Sequence, residues 1–389
     1  MKKVAIVGAG ITGLTCAIYL QRAGLEVVVF EAADRVGGRV ATEMVEGYKL
    51  DVGFQVFLES YEELRMLLDL EALQLGYFYS GATIYTPQGQ ALGLGNPLMA
   101  GPSALLEALG PWATVADKLR LAKLYLAHAA GAKPFPLKGI SAQELLKQCG
   151  FTDKAFERLF RPFFGDVFLD RGLETDAGLF LYLFRRFAHT RASLPEGGMA
   201  AIPAQLHSLL KPGTVRLGSS VEAVAELAHR YDYVVQTFAS PDAVRWNPTV
   251  NLYLCGRVER TPGNRLLLNA GSGPVRNVSL LSAVQPSYAP AGQDLVSVSL
   301  DASQLHQSDR QVAEAALRQI LPWLGPGSDL RLLTRYNVAK ALPKVVSQAQ
   351  EPFVVKDGVL HAGDWLAYGS LNGAAFSGRR VAEQIIAKV

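Results

Sequence analysis

The sequence predicts an α/β fold: a Rossmann-type dinucleotide-binding domain built from both ends of the chain, with an α+β domain inserted between them. Three observations carry this. Residues 2–39, KKVAIVGAGITGLTCAIYLQRAGLEVVVFEAADRVGGR, read as strand, glycine turn, helix and second strand. Residues 359–387 read as one more strand running into one more helix. The stretch between them mixes aromatic-rich helical sequence with short β-branched runs.

In the first unit, VAIV at 4–7 is an apolar run suited to a strand buried on both faces, and VVVF at 27–30 is its partner. Between them, Gly8-Ala-Gly10-Ile11-Thr12-Gly13 opens a helix over 14–22 that stops near Gly24. Gly8 permits a tight turn, Gly10 lets a pyrophosphate approach backbone without meeting a Cβ, and Gly13 lets helix and strand pack closely. The unpaired N–H groups and partial positive charge at the helix start favour phosphate. Glu31, eighteen residues after Gly13, stands where a carboxylate accepts from adenosine ribose hydroxyls. A carboxylate there disfavours a 2′-phosphate, which argues against NADP.

At 389 residues, with 49% hydrophobic and 19% charged residues, the chain is long enough for a large core and more than one domain. A formal net charge of +3 gives no reason to propose nucleic acid as a partner. Cys16, Cys149 and Cys255 are scattered without a CxxC, which argues against a disulfide framework, a metal site and a redox-active disulfide, and suits a reducing, cytoplasmic setting. Two lysines before an apolar stretch imitate a secretory signal, but the glycine spacing and second strand explain the same residues. No later run is long and apolar enough to span a bilayer.

Along the chain, DRVGGR at 34–39 offers a double glycine for close backbone approach and Arg39 for a phosphate; an ordinary turn with a surface arginine is the alternative. Residues 61–70 have helical spacing, 77–86 read as a strand, and 87–102 as a Gly/Pro loop. Helices are predicted over 103–109 and 114–130, then a connection over 131–139. Ser141-Ala-Gln-Glu144 is a capping box, and Gly150 a stop. Residues 151–188 are mainly helical and dense in phenylalanine, either core or the wall of an apolar cavity. PEGGM at 195–199 is a turn before a helix ending at 210.

Short strands are predicted over 214–217 and 221–224, and a buried strand over 231–235. Further on, 250–255, 265–268 and 295–300 read as strands and 311–320 as a helix. LLLNAGSGPVR at 266–276 imitates a second glycine motif. Its sixth position is Arg276, Pro274 intrudes and no helix pattern follows, so it reads as a turn and gives no second nucleotide site. At the C-terminal end, the strand closes on Gly363-Asp364, and Gly369-Ser-Leu-Asn-Gly-Ala-Ala375 opens a last helix over 376–387, whose N–H groups would serve anionic or carbonyl oxygens.

GAGITGL with Glu31, DRVGGR, LDVGFQVF, SLPEGGMAAIPAQL and AGDW…GSLNGAAFSGRRVAE, taken in order, resemble the FAD-dependent amine oxidase superfamily, which includes carotenoid desaturases, protoporphyrinogen oxidase and monoamine oxidases. The resemblance runs end to end. It implies one FAD held by residues 1–75, 195–240 and 351–389, with substrate-domain segments at 76–194 (mainly helical) and 241–350 (mixed sheet). By the same resemblance Gly8, Gly10, Ile11, Thr12 and Gly13 would hold the pyrophosphate, and Glu31 with Ala32 the ribose. Gly38 and Arg39 would meet the phosphate and sugar region, and Gly53, Phe54 and Gln55 the flavin ring. Val221 would touch adenine, Gly363 and Asp364 would lie near the ribitol, and Ser370, Leu371 and Asn372 would face the ring's carbonyl edge. The segment RLFRPFFGDVFLDRGLETDAGLFLYLFRRFAHTRASLPEGGM looks nearer the desaturase branch. The cysteine that attaches flavin in monoamine oxidases has no counterpart near the C-terminal motif, so FAD is expected to be noncovalent. Lys340, in NVAKALPK, lies too close to that motif to match the amine oxidases' flavin-facing lysine.

The expected function is therefore removal of hydrogen from a C–C or C–N bond of a largely apolar small molecule, with the flavin accepting a hydride equivalent at N5. Oxygen or a quinone would reoxidise it. No catalytic acid or base is assigned; Tyr336 and Arg161 stand out only as polar residues in apolar surroundings. An oxygen-dependent amine oxidase, and a flavin-binding scaffold or carrier without turnover, are the rival readings. Helix 114–130 carries Lys118, Arg120 and Lys123 beside a broad apolar face, the pattern either of a solvated basic face or of peripheral membrane contact. The sequence fixes no oligomeric state.

Overall fold

The computed structural model describes residues 2–129, 139–240, 244–344 and 352–389. Six strands form the first sheet in the spatial order Val215–Arg216, Glu26–Phe30, Lys3–Val7, Tyr233–Gln236, Val359–Ala362 and Phe353–Lys356. All pairs are parallel except the last edge. Val4 sits between Val27 and Tyr233, so strands far apart in sequence flank the first one. The first helix, Ile11–Arg22, and the last, Leu371–Ile386, pack on one another within one hydrophobic core. Their approach depends on Gly378, where a Cβ would stand only 2.3 Å from the Thr12 carbonyl oxygen. Gly13 lets the first helix close on its own turn, since a Cβ there would stand 2.0 Å from the Gly8 carbonyl oxygen.

The second sheet has seven strands in the order Asp329–Pro343, Trp246–Arg257, Asp294–Leu300, Val275–Leu280, Leu266–Asn269, Gly81–Tyr85 and Ala91–Gly95. Strand alternation gives it two chemically different faces. Val250, Leu252, Leu254, Val296 and Val298 pack in one core with Val312 and Ile320 of the helix Asp309–Leu324. Asn251, Asn277, Ser279, Ser297 and Ser299 occupy the alternate positions, also buried. A helical layer built from Ala142–Gln148, Phe156–Phe164 and Ala177–His189 forms a third core with most of the phenylalanines. The capping box predicted at Ser141 and Glu144 is present. Phe156–Phe164 is π-helical, and it contains Pro162, which cannot donate the ordinary i→i−4 bond.

Several local predictions need correction. The helix expected over 61–70 is only Glu62–Arg65. The Asp69 carboxylate accepts from the Glu71 and Ala72 amides and holds a turn there instead. The strand expected over 77–86 divides: Gly76–Tyr77 pairs with Ala192–Leu194, while Gly81–Tyr85 joins the second sheet. Within the expected loop 87–102 lies the strand Ala91–Gly95. Its glycines mark a close approach, since a Cβ on Gly95 would come 2.6 Å from the Ala104 Cβ. No strand forms over 221–224. The Gly218 and Ser219 amides bond to the Ala33 and Glu31 carbonyls, and this turns the chain off the sheet edge. Of the connection expected over 131–139, residues 131–138 lie outside the described ones, as does the end of the preceding helix at 130.

Candidate active-site cleft

A cleft of about 770 Å³ runs from the carboxyl ends of the first sheet to the polar face of the second. At its first-sheet end, Gly8 turns with φ 106°, its amide donating to the Phe30 carbonyl at 2.7 Å. Thr237 closes the turn from below, its hydroxyl donating to the Val7 and Gly8 carbonyls at 2.9 and 3.1 Å. The helix that follows has no side-chain cap at Gly10 and no acidic residue in its first turn. Its leading N–H groups are thus left for an outside acceptor. Gly37 pairs with Gly10, which brings the DRVGGR turn against this site. A Cβ on Gly38 would stand 3.5 Å from the Gly10 Cα. The Glu31 carboxylate accepts from the Ala9 amide at 2.7 Å and the Ala33 amide at 2.9 Å. Ala32 and Val221 complete this end.

Midway, the two ends of the chain meet. The Arg39 guanidinium donates to the Asp364 carboxylate at 2.5 Å and to the Ala341 carbonyl at 3.1 Å, and lies over the Trp246 ring. Gln55 donates to the Arg39 and Val52 carbonyls at 3.1 and 2.9 Å, fixing the loop that presents Gly53 and Phe54. Opposite, Ser370 caps the last helix through the Gly373 amide, and Ser370 and Leu371 face the cleft. The Trp365 indole N–H, from a residue of the same wall, is buried without an acceptor among the described residues.

The second-sheet end widens into a chamber. Phe163, Val167, Leu183, Phe187, Leu266 and Leu268 form an apolar wall, while Thr249, Asn277 and Ser299 present the polar sheet face. Asp166 and Arg276 also reach this chamber. Burial pushes the Asp166 carboxyl up to about 6, although Asn277 donates to it at 3.0 Å and Arg171 and Arg276 lie beside it.

Of the residues singled out in the sequence, Gly13, Gly363 and Asn372 are absent from the cleft wall. Gly13 serves the helix–strand contact instead, and the Gly363 amide donates to Ser377. Asn372 is buried, donating to the hydroxyls of Tyr182 and Tyr368 and accepting from the Glu63 amide. Arg161 pairs with Glu157, the Tyr336 hydroxyl donates to Glu43, and neither lines the cleft. Lys340 does line it, from the long strand Asp329–Pro343. Asp166, Arg276, Asn277 and Trp246 were not anticipated. The one available signal was an aspartate interrupting the aromatic run FFGDVF.

Sequence and structure comparisons agree with this geometry. The family of flavin containing amine oxidoreductases matches residues 11–244 and 243–386. A chloroplastic/mitochondrial protoporphyrinogen oxidase 2 of Arabidopsis thaliana is 46% identical over 68 residues, 18% of this chain and 13% of that protein. Putrescine oxidase of Kocuria rosea is 38% identical over 109 residues, 27% of this chain and 23% of the relative. A 4,4'-diapolycopen-4-al dehydrogenase of Metabacillus indicus is 46% identical over 56 residues, 14% and 11% of the two chains. The matches thus span less than a quarter of these relatives' length. Over whole folds, an oxidoreductase from Methanosarcina mazei superposes with a TM-score of 0.70 at 17% identity, covering 98% of this chain and 100% of that one. Putrescine oxidase bound to putrescine gives 0.66 at 17% identity, covering 99% of each chain. A glycine turn, an uncapped helix, a closing C-terminal helix and a family match along nearly the whole length all point one way: the chain belongs to the family of flavin containing amine oxidoreductases.

Proposed function

We propose that this protein holds FAD noncovalently along the cleft and dehydrogenates a C–C or C–N bond of a largely apolar small molecule in the chamber beyond it. The observation that carries the reading is the continuity of one cleft from Glu31, past Arg39 and Asp364, to the phenylalanine-lined chamber. The residues fit the group: uncapped N–H groups behind Gly10 suit a pyrophosphate, and the unpartnered Trp365 indole suits an acceptor near Asp364. Ile11 and Thr12 would donate to the phosphates, Glu31 would accept from the ribose, and Ser370 and Leu371 would meet the ring's polar edge. When bound, FAD supplies the hydride acceptor. The chain's part is to orient the substrate bond and exclude water, for which Phe163, Phe187 and Leu183 are suited. Cys16, Cys149 and Cys255 all lie outside the cleft wall, which supports noncovalent attachment.

The purified protein should be yellow and release its flavin into the supernatant on acid precipitation. Anaerobic addition of isoprenoids, porphyrinogens and amines should bleach it with one of these classes. Bleaching by amines alone, with peroxide formed in air, would assign it to the amine oxidase reading. A colourless preparation that takes up no FAD would overturn the proposal.

We also propose that it docks on an anionic lipid surface and passes electrons to oxygen or a quinone. Leu105, Leu106, Leu109, Val115, Leu119 and Leu126 are each at least 51% exposed. Lys118 donates to the Leu109 and Gly110 carbonyls, holding the helix Val115–Ala129 to the preceding one. Exposed Lys123 and Lys154 add positive charge nearby. An apolar stripe edged by cations matches the interface of an anionic bilayer. Among the described residues no helix is long and apolar enough to cross one.

A further inference from the structure

A concentration of unsatisfied groups lies at and behind the polar side of the chamber. Among the described residues, Asp166 Oδ1, Arg276 Nη1 and Arg171 Nε are buried with no hydrogen-bond partner, and so are Asn251 Nδ2 and Ser279 Oγ on the same sheet. Arg276 Nη1 lies 3.6 Å and Arg171 Nε 3.9 Å from Asp166 Oδ1, close enough for charge attraction but too far for a hydrogen bond. The other groups of these residues are engaged. Asn277 donates to Asp166 Oδ2 at 3.0 Å, and Arg276 Nη2 donates to Asp301 at 2.5 Å. Buried polar atoms left over in this way require an explanation, and two of these residues, Asp166 and Arg276, border a cavity whose opposite wall is phenylalanine and leucine.

The charge of the cluster selects among the groups that would complete it. Two guanidiniums, Arg171 and Arg276, are matched by two carboxylates, Asp166 and Asp301. An incoming carboxylate would meet Asp166, and an incoming ammonium would meet the two arginines; each would leave a like charge at close range. A carbonyl would accept from Arg276 or Asn277 but offer nothing to Asp166. A hydroxyl both accepts and donates without adding charge.

We propose that the Asp166–Arg276–Asn277 cluster is a subsite for a neutral hydroxyl group on an otherwise apolar substrate, so that the substrate is a hydrophobic alcohol. The hydroxyl donates to Asp166 and accepts from Arg276, while its carbon skeleton lies against Phe163, Phe187 and Leu268. The inference rests on the cleft being the substrate site proposed above, and it narrows the substrate class.

The test uses the FAD-loaded protein under anaerobic conditions, with ligand binding read from the perturbation of the flavin absorbance. The probes are a polyisoprenoid alcohol and the hydrocarbon, carboxylic acid and primary amine of the same skeleton. The alcohol should bind about 10- to 100-fold tighter than the hydrocarbon, the factor carried by a hydrogen bond to a charged group. Arg276→Leu, which removes the donor to the hydroxyl, should bring that ratio close to one. Asp166→Asn, which keeps the shape and an acceptor but loses the charge, should hold an intermediate ratio and serves if the leucine variant does not fold. Equal binding of alcohol and hydrocarbon, tighter binding of the acid or the amine, or a ratio unmoved in both variants would overturn the subsite. A protein that carries no flavin fails before any ligand is added, which separates loss of the cofactor reading from loss of this one.

Discussion

Arg39 and Asp364 stand 325 residues apart in sequence, yet their side chains form an ion pair at the waist of the cleft. The partners are unequal: the Asp364 side chain is 6% exposed and that of Arg39 43%. The buried carboxylate therefore depends on the arginine more than the reverse. Arg39 also holds the Ala341 carbonyl, so one side chain joins the DRVGGR turn, the long strand of the second sheet and the C-terminal motif.

Arg39→Met should accordingly leave a buried carboxylate unpaired and loosen the cofactor region as a whole. Flavin affinity should fall at least about tenfold, with a loss of stability of about 1–3 kcal/mol. Asp364→Asn, which removes the charge and keeps the shape, should cost less stability. Fluorescence of released flavin and urea unfolding of both variants measure this; equal losses in the two would contradict the asymmetry.

Gly378 carries a second long-range dependence. A methyl group there would meet the Thr12 carbonyl oxygen at 2.3 Å and the Thr15 Cβ at 3.1 Å. The first of these is backbone at the start of the phosphate-facing helix, so it cannot swing aside as a side chain would. Gly378→Ala should therefore destabilise by about 1–3 kcal/mol through overpacking. It should also weaken flavin binding although residue 378 lies outside the cleft wall. Unchanged unfolding and unchanged flavin affinity would show that the two helices can separate freely.

Asp51 gives a pH dependence of definite sign. The side chain is buried and accepts from the Thr42 hydroxyl, the Met199 amide and the Tyr288 hydroxyl, yet desolvation outweighs them and lifts its carboxyl from 3.8 to about 6. A folded-state value above the unfolded one means the folded protein binds the extra proton. The group's stabilising contribution is then complete below about pH 4 and is lost as pH rises through about 6, by about 3 kcal/mol at most. Asp51→Asn lacks this term, so its stability relative to the parent should climb between pH 4 and pH 7. Parallel urea-unfolding profiles for the two proteins would contradict it.

What could be read in advance divides along a physical line. The glycine turn, both terminal strand–helix pairs and the capping box at Ser141 rest on interactions between near neighbours, and each is present, the two helices starting three and five residues earlier than read, at Ile11 and Leu371. Asn372 and Gly363 belong to local motifs as well, but which way a side chain or amide turns depends on Tyr182, Glu63 and Ser377, which are distant in sequence. The chamber was least legible. Asp166, Arg276 and Asn277 are brought together by a sheet whose order, with Leu266–Asn269 parallel to Gly81–Tyr85, no local pattern reveals. The strand expected over 295–300 is present as Asp294–Leu300, but nothing in its sequence announced that Ser299 would border a cavity.

Membrane docking leads to the last prediction, because its two components separate experimentally. Val115, Leu119 and Leu126 follow helical spacing on the solvent side of Val115–Ala129, with Leu105, Leu106 and Leu109 on the adjoining segment. Removing apolar side chains from water drives insertion in any bilayer, whereas Lys123 and Lys154 contribute only where the lipid is anionic. The protein should therefore cosediment with vesicles rich in phosphatidylserine more strongly than with purely phosphatidylcholine vesicles, and the difference should shrink at high salt. Leu106→Ser with Leu119→Ser should reduce binding to both compositions. Lys123→Gln with Lys154→Gln should remove only the preference for anionic lipid. None of these side chains lines the cleft, so flavin content should stay constant throughout and report that the fold is intact. Binding that survives the leucine pair undiminished would mean that this stripe is not the membrane-facing surface.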